Sequence, residues 1–309
     1  MSWWAEPVLR FVQYALLLGL FGWSAFRLLG LSKLGWLGRY DRAPVAIVAA
    51  MAAPVASSVL MLQSIAAMMG QPISALDGPM IEAMILQTDM GAAFLVRVGL
   101  LLTALGALLT LGRRRGGVAF AALFYAATLL TLGWSGHAAA TEGGLGLLHR
   151  ANNGVHLIAA GLWLGAIGWF LLLIVKCHTQ RDESRAGELV AVMHAFAPVG
   201  VVLVGVVALT GLINAHLVFG LENAGLVVWT PYGVLLVIKV ALVLAMLACG
   251  AHNAQTSRAY IADAQTAPAK QGSTVEALRR SLAFELLFGI ATTALVALLG
   301  TMSPTGIAL

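Results

Sequence analysis

Three of the seven histidines in this chain lie within residues 135–165, which read SGHAAATEGGLGLLHRANNGVHLIAAGLWLG. They are His137, His149 and His156, and imidazole is the commonest metal ligand in proteins, suited to copper, zinc, iron and nickel. His149 and His156 are seven positions apart, so they share one face if the segment is helical, and Trp163 continues that face. A plainer interpretation is that the histidines have no function and are compatible with a connection exposed to water. The crowding of three in one connection favours a metal-binding site.

The elements that must position these side chains are membrane helices, as the composition indicates. Hydrophobic residues make up 60% of the chain, charged residues make up 10%, and the mean hydropathy is +0.91. A soluble domain has roughly a quarter of its residues charged. The apolar runs are close to the ~20 residues that a helix needs to cross hydrocarbon, and they are too long for the alternating ~10-residue strands of a barrel. We therefore predict an all-α, polytopic membrane helix bundle.

We expect eight transmembrane helices within a single transmembrane domain that covers residues 1–309. One polar connection, residues 252–279, is long, yet it is too short to form a soluble domain of its own. The apolar runs place the spans at about 7–29, 44–69, 91–111, 117–137, 152–176, 190–216, 231–251 and 280–302.

Basic residues are concentrated in alternate connections between the predicted spans. The connections at 30–43, 112–117, 176–189 and 252–279 hold most of the lysines and arginines, whereas the intervening connections are mainly acidic. By the positive-inside rule the basic side is cytoplasmic, so both termini are expected on the periplasmic side. The net charge of +5 follows from this asymmetry. We therefore expect contact with membrane lipid and no nucleic-acid partner.

This topology collects possible metal ligands at the periplasmic edge of the bundle. The histidines and methionines placed there are His137, His149, His156, His216, Met68, Met80 and Met84. Thioether sulfur is a soft ligand that selects Cu(I), although methionine is also a routine packing residue. Because no cysteine accompanies these side chains on this side, the combination favours copper over zinc.

Three charged residues lie inside predicted spans and more than one helical turn from either end: Arg97, Lys239 and Glu285. A charge at the centre of the bilayer costs at least ~2.5 kcal/mol on insertion scales, so it should be paired or should face a wet cavity. The first possibility is a Lys239–Glu285 ion pair between neighbouring helices. The second is a polar path through the bundle. On this path Glu285 would carry a proton or bind a cation, and Asn214 would be among the polar groups that line it.

Several segments resemble the copper resistance protein D (CopD) family. SGHAAA with LHRANNGVHLIAAGLWLGA resembles its GHA and HLxAAxxWxG motifs, and TDMGAAFLVRVGL resembles its helix with a glycine six positions before an arginine. TGLINAHL with WTPYGVLLVIKVALVLAML resembles its TxYGxLLxxK helix, and LRRSLAFELLFGIATTALVALLGTMSP resembles its closing helix, which bears a glutamate. The similarity is close over spans three to eight and loose over the first two. The matching positions are His137, His156, Arg97, Tyr232, Lys239 and Glu285.

The resemblance implies a bacterial inner-membrane protein of copper homeostasis that moves copper across the membrane, often with a separate periplasmic partner of the CopC type. Under this hypothesis His137 and His156, with His149, are the entry ligands for Cu(I) or Cu(II), and the outer methionines help to hold Cu(I). We expect a transport protein and not an enzyme. No GxxxxGK[ST] phosphate loop is present, so no ATP-driven step is expected.

Two alternatives remain open at this point. Haem iron accepts axial imidazoles, so His137, His156 and His216 could supply a pair of ligands for haem b in a membrane redox protein. The protein could instead be a copper sensor or docking protein, which binds the ion at the surface and moves nothing.

Overall fold

The structure is a computed structural model that describes residues 4–40, 43–112, 114–135, 141, 143–263 and 271–303. Within these ranges the regular structure is helical and includes no β-strand. The ten α-helices are α1 (Ala5–Leu29), α2 (Ala43–Met68), α3 (Gly78–Leu86), α4 (Asp89–Thr110), α5 (Arg115–Leu130), α6 (Gly143–Gln180), α7 (Glu183–Phe219), α8 (Ala224–Val227), α9 (Pro231–Asp263) and α10 (Gln271–Leu299).

Eight of these helices are long and apolar enough to cross a membrane, which confirms the predicted all-α membrane bundle. They are all of the helices except the short α3 and α8. The two short helices lie in connections that the charge pattern assigns to the periplasmic side.

Several of the long helices extend well beyond the apolar segments that predicted them, including α6 and α9. α6 begins at Gly143 instead of residue 152, so His149 lies inside a helix and not in a loop. α9 continues to Asp263 and takes up part of the polar segment 252–279, which was predicted as a loop. Helical hydrogen bonds do not require apolar side chains, so hydropathy marks the part of a helix that lies in lipid and not the residue where the helix ends.

The central helix of the bundle is α6, which packs against α1, α5, α7 and α10. On one side, α1 packs with α2, α4 and α5 around a core that includes Leu17, Leu101 and Leu129. On the other side, α7, α9 and α10 enclose a core that includes Trp169 and Leu278. Because α6 has neighbours on both sides, its polar side chains can face other helices instead of lipid.

Close contact between α1 and α6 depends on glycine. A Cβ atom on Gly22 would overlap the Gly161 carbonyl oxygen and would lie 2.9 Å from the Gly165 Cα atom. Small residues four positions apart let membrane helices approach this closely. One turn further along, the Trp169 indole stacks on Trp23 with ring centroids 3.7 Å apart and donates to the Trp23 carbonyl oxygen at 2.9 Å. This crossing fixes the rotation of α6 and therefore the direction of its polar face.

Candidate functional site

One face of α6 carries a row of side chains that form hydrogen bonds outside the helix. The row consists of His149, Asn152, His156 and Trp163, and it is called the polar stripe below. Positions three, four and seven apart lie on the same side of a helix that turns once every 3.6 residues. The partners of the polar stripe come from the connection before α6, from α7 and from α10.

His149 is the first residue of the polar stripe, in the second turn of α6, and it is only 2% exposed. Its Nδ1 atom lies 2.9 Å from the hydroxyl oxygen of Thr141, in the connection before the helix. That connection passes closely over the helix at Gly146, where a Cβ atom would overlap the Thr141 carbonyl oxygen. An imidazole held through Nδ1 has Nε2 as its other ring nitrogen, and Nε2 is a common metal-binding atom.

The imidazole of His156 is held by Thr210 of α7. Its Nδ1 atom lies 2.9 Å from the Thr210 hydroxyl oxygen, and that hydroxyl donates to the Val206 carbonyl oxygen at 2.5 Å. Because a hydroxyl group has one proton, the Thr210 oxygen must accept from His156, so Nδ1 carries a hydrogen and Nε2 carries a lone pair. A hydrogen bond at one ring nitrogen fixes the tautomer in which the other nitrogen can ligate a metal ion.

Asn152 fastens the same part of α6 to α7. Its amide nitrogen donates to the Thr210 carbonyl oxygen at 2.9 Å and to the Asn214 side-chain oxygen at 2.8 Å. Both hydrogens of the amide are therefore used across one helix interface. Asn214, which the sequence placed in the polar interior, takes part in this interface and orients the segment that carries His156.

Lys239 reaches the same region from α9. Its ammonium group lies within electrostatic range of the His156 imidazole. Among the described residues Lys239 forms no salt bridge. When protonated, the Lys239 amine beside a possible metal ligand would oppose the arrival of another cation at this level of the bundle. We call His156, Asn152, Thr210, Asn214 and Lys239 the polar cluster.

The ion pair predicted between Lys239 and Glu285 is wrong. Glu285 is 3% exposed and accepts hydrogen bonds from Trp163 Nε1 at 3.1 Å and from Asn253 Nδ2 at 2.9 Å. Asn253 lies fourteen residues after Lys239 in the same helix, which is ~21 Å along its axis. Depths counted from predicted span ends placed the two charges too close, because α9 and α10 extend beyond those ends.

Glu285 faces a cavity of about 700 Å³ between α6, α7, α9 and α10. The lining is mostly apolar, and its polar members are Glu285, Asn253 and His194. Pro198 of α7 also lines the cavity; it has no backbone N–H, so the His194 carbonyl oxygen lacks the usual helical donor. The cavity therefore lies beside a position where the continuous helix α7 lacks one backbone hydrogen bond.

Arg97 of α4 is buried and holds the 3-10 turn Thr131–Trp134 that follows α5. Its Nε atom donates to the Thr131 hydroxyl oxygen at 2.9 Å, and a terminal nitrogen donates to the Thr131 carbonyl oxygen at 3.0 Å. At the end of the turn, Trp134 lies beneath the guanidinium of Arg150, 5.3 Å from the ring centroid. Neutral oxygen atoms thus stabilise the buried guanidinium, and two arginines fix this turn.

The remaining residues of the family motifs, and His216, have different surroundings. His137 lies outside the described residues. His216 is exposed in the last turn of α7, where its Nδ1 accepts from the Leu221 N–H at 3.4 Å and lies 3.9 Å from a Glu222 carboxylate oxygen. Tyr232 is buried in a small apolar cluster at the start of α9. His216 thus contacts the connection after α7, and it lies six residues beyond Thr210, the residue that holds His156.

The three predicted methionine ligands lie on α2 and α3. Met68 is exposed at the end of α2, whereas Met80 and Met84 are partly buried on α3, which packs against α4 and α2. The Met80 sulfur accepts a hydrogen bond from Gln71 Nε2 at 3.1 Å. The histidines of the polar stripe lie on a different helix, α6. The structure thus places the soft sulfur atoms and the imidazoles in two separate groups.

Within the described part of the chain, no group of three or more His, Cys, Asp and Glu side chains could hold a metal ion. In this part of the chain the possible ligands therefore lie alone or two together.

Sequence reasoning missed Asn253, because it fell in a segment predicted as a loop. Its position two heptads after Lys239 was the available signal, since residues seven apart share a helix face.

Comparison with known proteins identifies the family. Residues 1–147 match the model described as Copper resistance protein D-like, N-terminal domain, and residues 190–299 match the model described as Copper resistance protein D. Copper resistance protein D of Pseudomonas syringae pv. tomato is 30% identical over 233 residues, which cover 73% of this chain and 72% of that protein. The chain belongs to the copper resistance protein D family. This confirms the resemblance, and the protein is a multi-pass membrane protein related to copper resistance and transport.

Two further relatives of this CopD-family protein are similar over part of its length. Copper transport protein CutJ of Bacillus subtilis (strain 168) is 33% identical over 130 residues, which cover 42% of this chain and 23% of CutJ. Inner membrane protein YebZ of Escherichia coli (strain K12) is 28% identical over 198 residues, which cover 64% of this chain and 65% of YebZ. No solved structure matches the chain at a significant level.

Proposed function

We propose that this protein accepts copper at the periplasmic edge of the bundle and moves it across the bacterial inner membrane. The observation that supports this function best is the pair of imidazoles on α6. His149 and His156 are each held at Nδ1 by a threonine hydroxyl from outside the helix, and imidazole is the commonest metal ligand in proteins. Family membership makes copper the expected ion.

The two histidines act in succession along one route. They are ~10.5 Å apart along the axis of α6, whereas a nitrogen ligand lies ~2 Å from its metal ion. One ion therefore passes from the His149 position to the His156 position. His137, which the sequence predicts as a further entry ligand, lies outside the described residues.

The methionines and His216 serve capture at the surface. Met68, Met80 and Met84 lie on the same predicted side of the membrane as the histidines, and thioethers favour Cu(I) over Cu(II). A periplasmic CopC-type protein is the expected donor of the ion. The eight helices work as one transmembrane unit that transports an ion and catalyses no covalent reaction.

Copper uptake into proteoliposomes tests this function. Replacing His149 and His156 together with alanine is expected to lower the initial rate of uptake at least tenfold, because both positions on the route lose their ligand. The matched control is His178→Ala, which removes an exposed imidazole at the opposite end of α6, 3.8 Å from Glu276.

Uptake by the double variant at the rate of the unaltered protein would exclude the route. Copper binding without uptake would identify a sensor, and a Soret band in the purified protein would identify haem b.

A further inference from the structure

Glu285 is a buried carboxylate without a cationic partner. Both of its oxygen atoms accept hydrogen bonds, from Trp163 Nε1 at 3.1 Å and from Asn253 Nδ2 at 2.9 Å, and both donors are neutral. No lysine, arginine or histidine in the described chain lies within salt-bridge distance. An isolated ionised carboxylate in an apolar interior is costly, so such a group is normally neutralised by a proton or by a bound cation.

The cavity beside Glu285 gives a neutralising cation a place to enter. Asn253 also lines it, is 7% exposed, and has a buried side-chain oxygen with no hydrogen-bond partner in the described chain. The asparagine uses its nitrogen to donate to the carboxylate, so its unpartnered oxygen is a second acceptor beside the first. Val201 of α7, which is 72% exposed, lines the same cavity on the outer face of the bundle.

The titratable groups that face Glu285 are few. His194 of α7 lines the cavity, and the Cys249 thiol of α9 lies within electrostatic range of the carboxylate. From α6 the group at this level is the Trp163 indole. The remaining neighbour, α1, carries its charged side chains near its two ends, at Glu6, Arg10 and Arg27. No basic side chain in the described part of the chain is therefore placed to compensate Glu285 permanently.

We propose that Glu285 carries an exchangeable proton, and that this proton leaves when a Cu(I) ion enters the cavity. In this step the O–H bond of the neutral acid breaks and the proton leaves through the cavity. The single negative charge of the carboxylate then balances the single positive charge of the copper ion. No oxidation state changes, and the exchange is electrically neutral. The proposal rests on the copper transport proposed above, and it couples the movement of each copper ion to the release of one proton.

Infrared difference spectroscopy of the reconstituted protein tests the exchange. The unaltered protein is expected to show the carbonyl stretch of a protonated carboxylic acid, and the band should disappear when the pH is raised or when buffered Cu(I) is added at constant pH. Glu285→Gln should lack the band. Trp163→Phe removes one hydrogen bond to the carboxyl group, so it should shift the frequency of the band without abolishing it. The matched control is Glu183→Gln, which alters an exposed carboxylate in the first turn of α7.

Two results would overturn the proposal. The first is a spectrum without a carboxylic acid band that depends on Glu285, which would mean that the carboxylate is permanently ionised. The second is a band that persists through both the pH step and the copper addition, which would mean that the proton does not exchange.

A transport assay separates failure of this inference from failure of the proposed function. Proteoliposomes that contain a trapped pH-sensitive dye should report about one proton moved for each copper ion taken up, and Glu285→Gln should abolish the proton movement. Copper uptake without proton movement, or uptake and proton movement unchanged in Glu285→Gln, would contradict the exchange while leaving copper transport intact. Absence of copper uptake by the unaltered protein would contradict both.

Discussion

The tautomer of His156 is decided by one hydroxyl proton. Thr210 gives that proton to the Val206 carbonyl oxygen and can therefore only accept from the imidazole. The same threonine supplies its backbone oxygen to Asn152, so one residue of α7 fixes both the ring and the helix segment that carries it. At the residue scale, the possible metal ligand is prepared by neighbours that do not themselves contact the ion.

Replacing Thr210 with valine tests this preparation. Valine has nearly the same shape but lacks the oxygen acceptor, so His156 loses the bond that fixes its tautomer. Loss of such an outer hydrogen bond typically weakens metal binding by ~10–100-fold, and we expect a decrease in copper affinity of about tenfold or more. A competition titration of the purified protein against a chromophoric copper chelator measures it. Thr210→Ser keeps the hydroxyl group and should bind as the unaltered protein does; equal affinities for the valine and serine variants would contradict the assignment.

Residue types and spacing predicted the histidine positions of the polar stripe but not their partners. The seven-residue spacing predicted that His149 and His156 share one helix face. It could not predict Thr141 and Thr210 as their hydrogen-bond partners, because the glycine contacts and the shape of the whole bundle decide which helices pack together. The wrong Lys239–Glu285 pair has a different cause, because depths counted from predicted span ends placed the two charges too close.

At the scale of elements, the glycines of the α1–α6 crossing set the rotation of the helix that carries the polar stripe. Gly161 and Gly165 flank Trp163, so any change in the distance between α1 and α6 also moves the indole that donates to Glu285. Packing and polar contacts therefore depend on the same few residues of α6.

Replacing Gly165 with alanine is expected to destabilise the bundle. The added methyl group would overlap the Gly22 backbone, and overpacking of a close contact typically costs ~1–3 kcal/mol. The midpoint of thermal unfolding in detergent should fall by several degrees, and copper binding should weaken in the fraction that remains folded. Gly168→Ala is the matched control, because a Cβ atom there has no neighbour within 4 Å. An unchanged midpoint for Gly165→Ala would show that α1 and α6 do not approach as described.

Hydropathy and charge were sufficient for the number of membrane helices but not for their lengths. The apolar run of α9 ends near residue 251, yet the helix continues to Asp263 and so brings Asn253 onto the face that meets Glu285. The sequence from His252 onward is polar, and polar residues are compatible with a helix that continues beyond lipid. Hydropathy alone cannot distinguish such a continuation from a loop.

At the scale of the whole molecule, the polar groups form a discontinuous series across the bundle. From His149 to Trp163 the polar stripe covers ~21 Å of the axis of α6, which is most of the ~30 Å hydrocarbon thickness. The series begins with imidazoles at the predicted periplasmic edge, continues through the polar cluster with its lysine, and reaches Glu285 and the cavity at the other end. Such a series places possible ligands for a cation at several depths of the bundle.

The most direct test of copper binding by the imidazoles of α6 is X-ray absorption spectroscopy of the copper-loaded, purified protein. If these imidazoles bind the ion, nitrogen scatterers are expected at ~2 Å, the usual metal–imidazole distance, with the outer-shell pattern of imidazole. The imidazole contribution should be lost when His149 and His156 are both replaced with alanine and retained in His178→Ala. Copper bound through sulfur or oxygen alone, with a spectrum that the double replacement leaves unchanged, would contradict it.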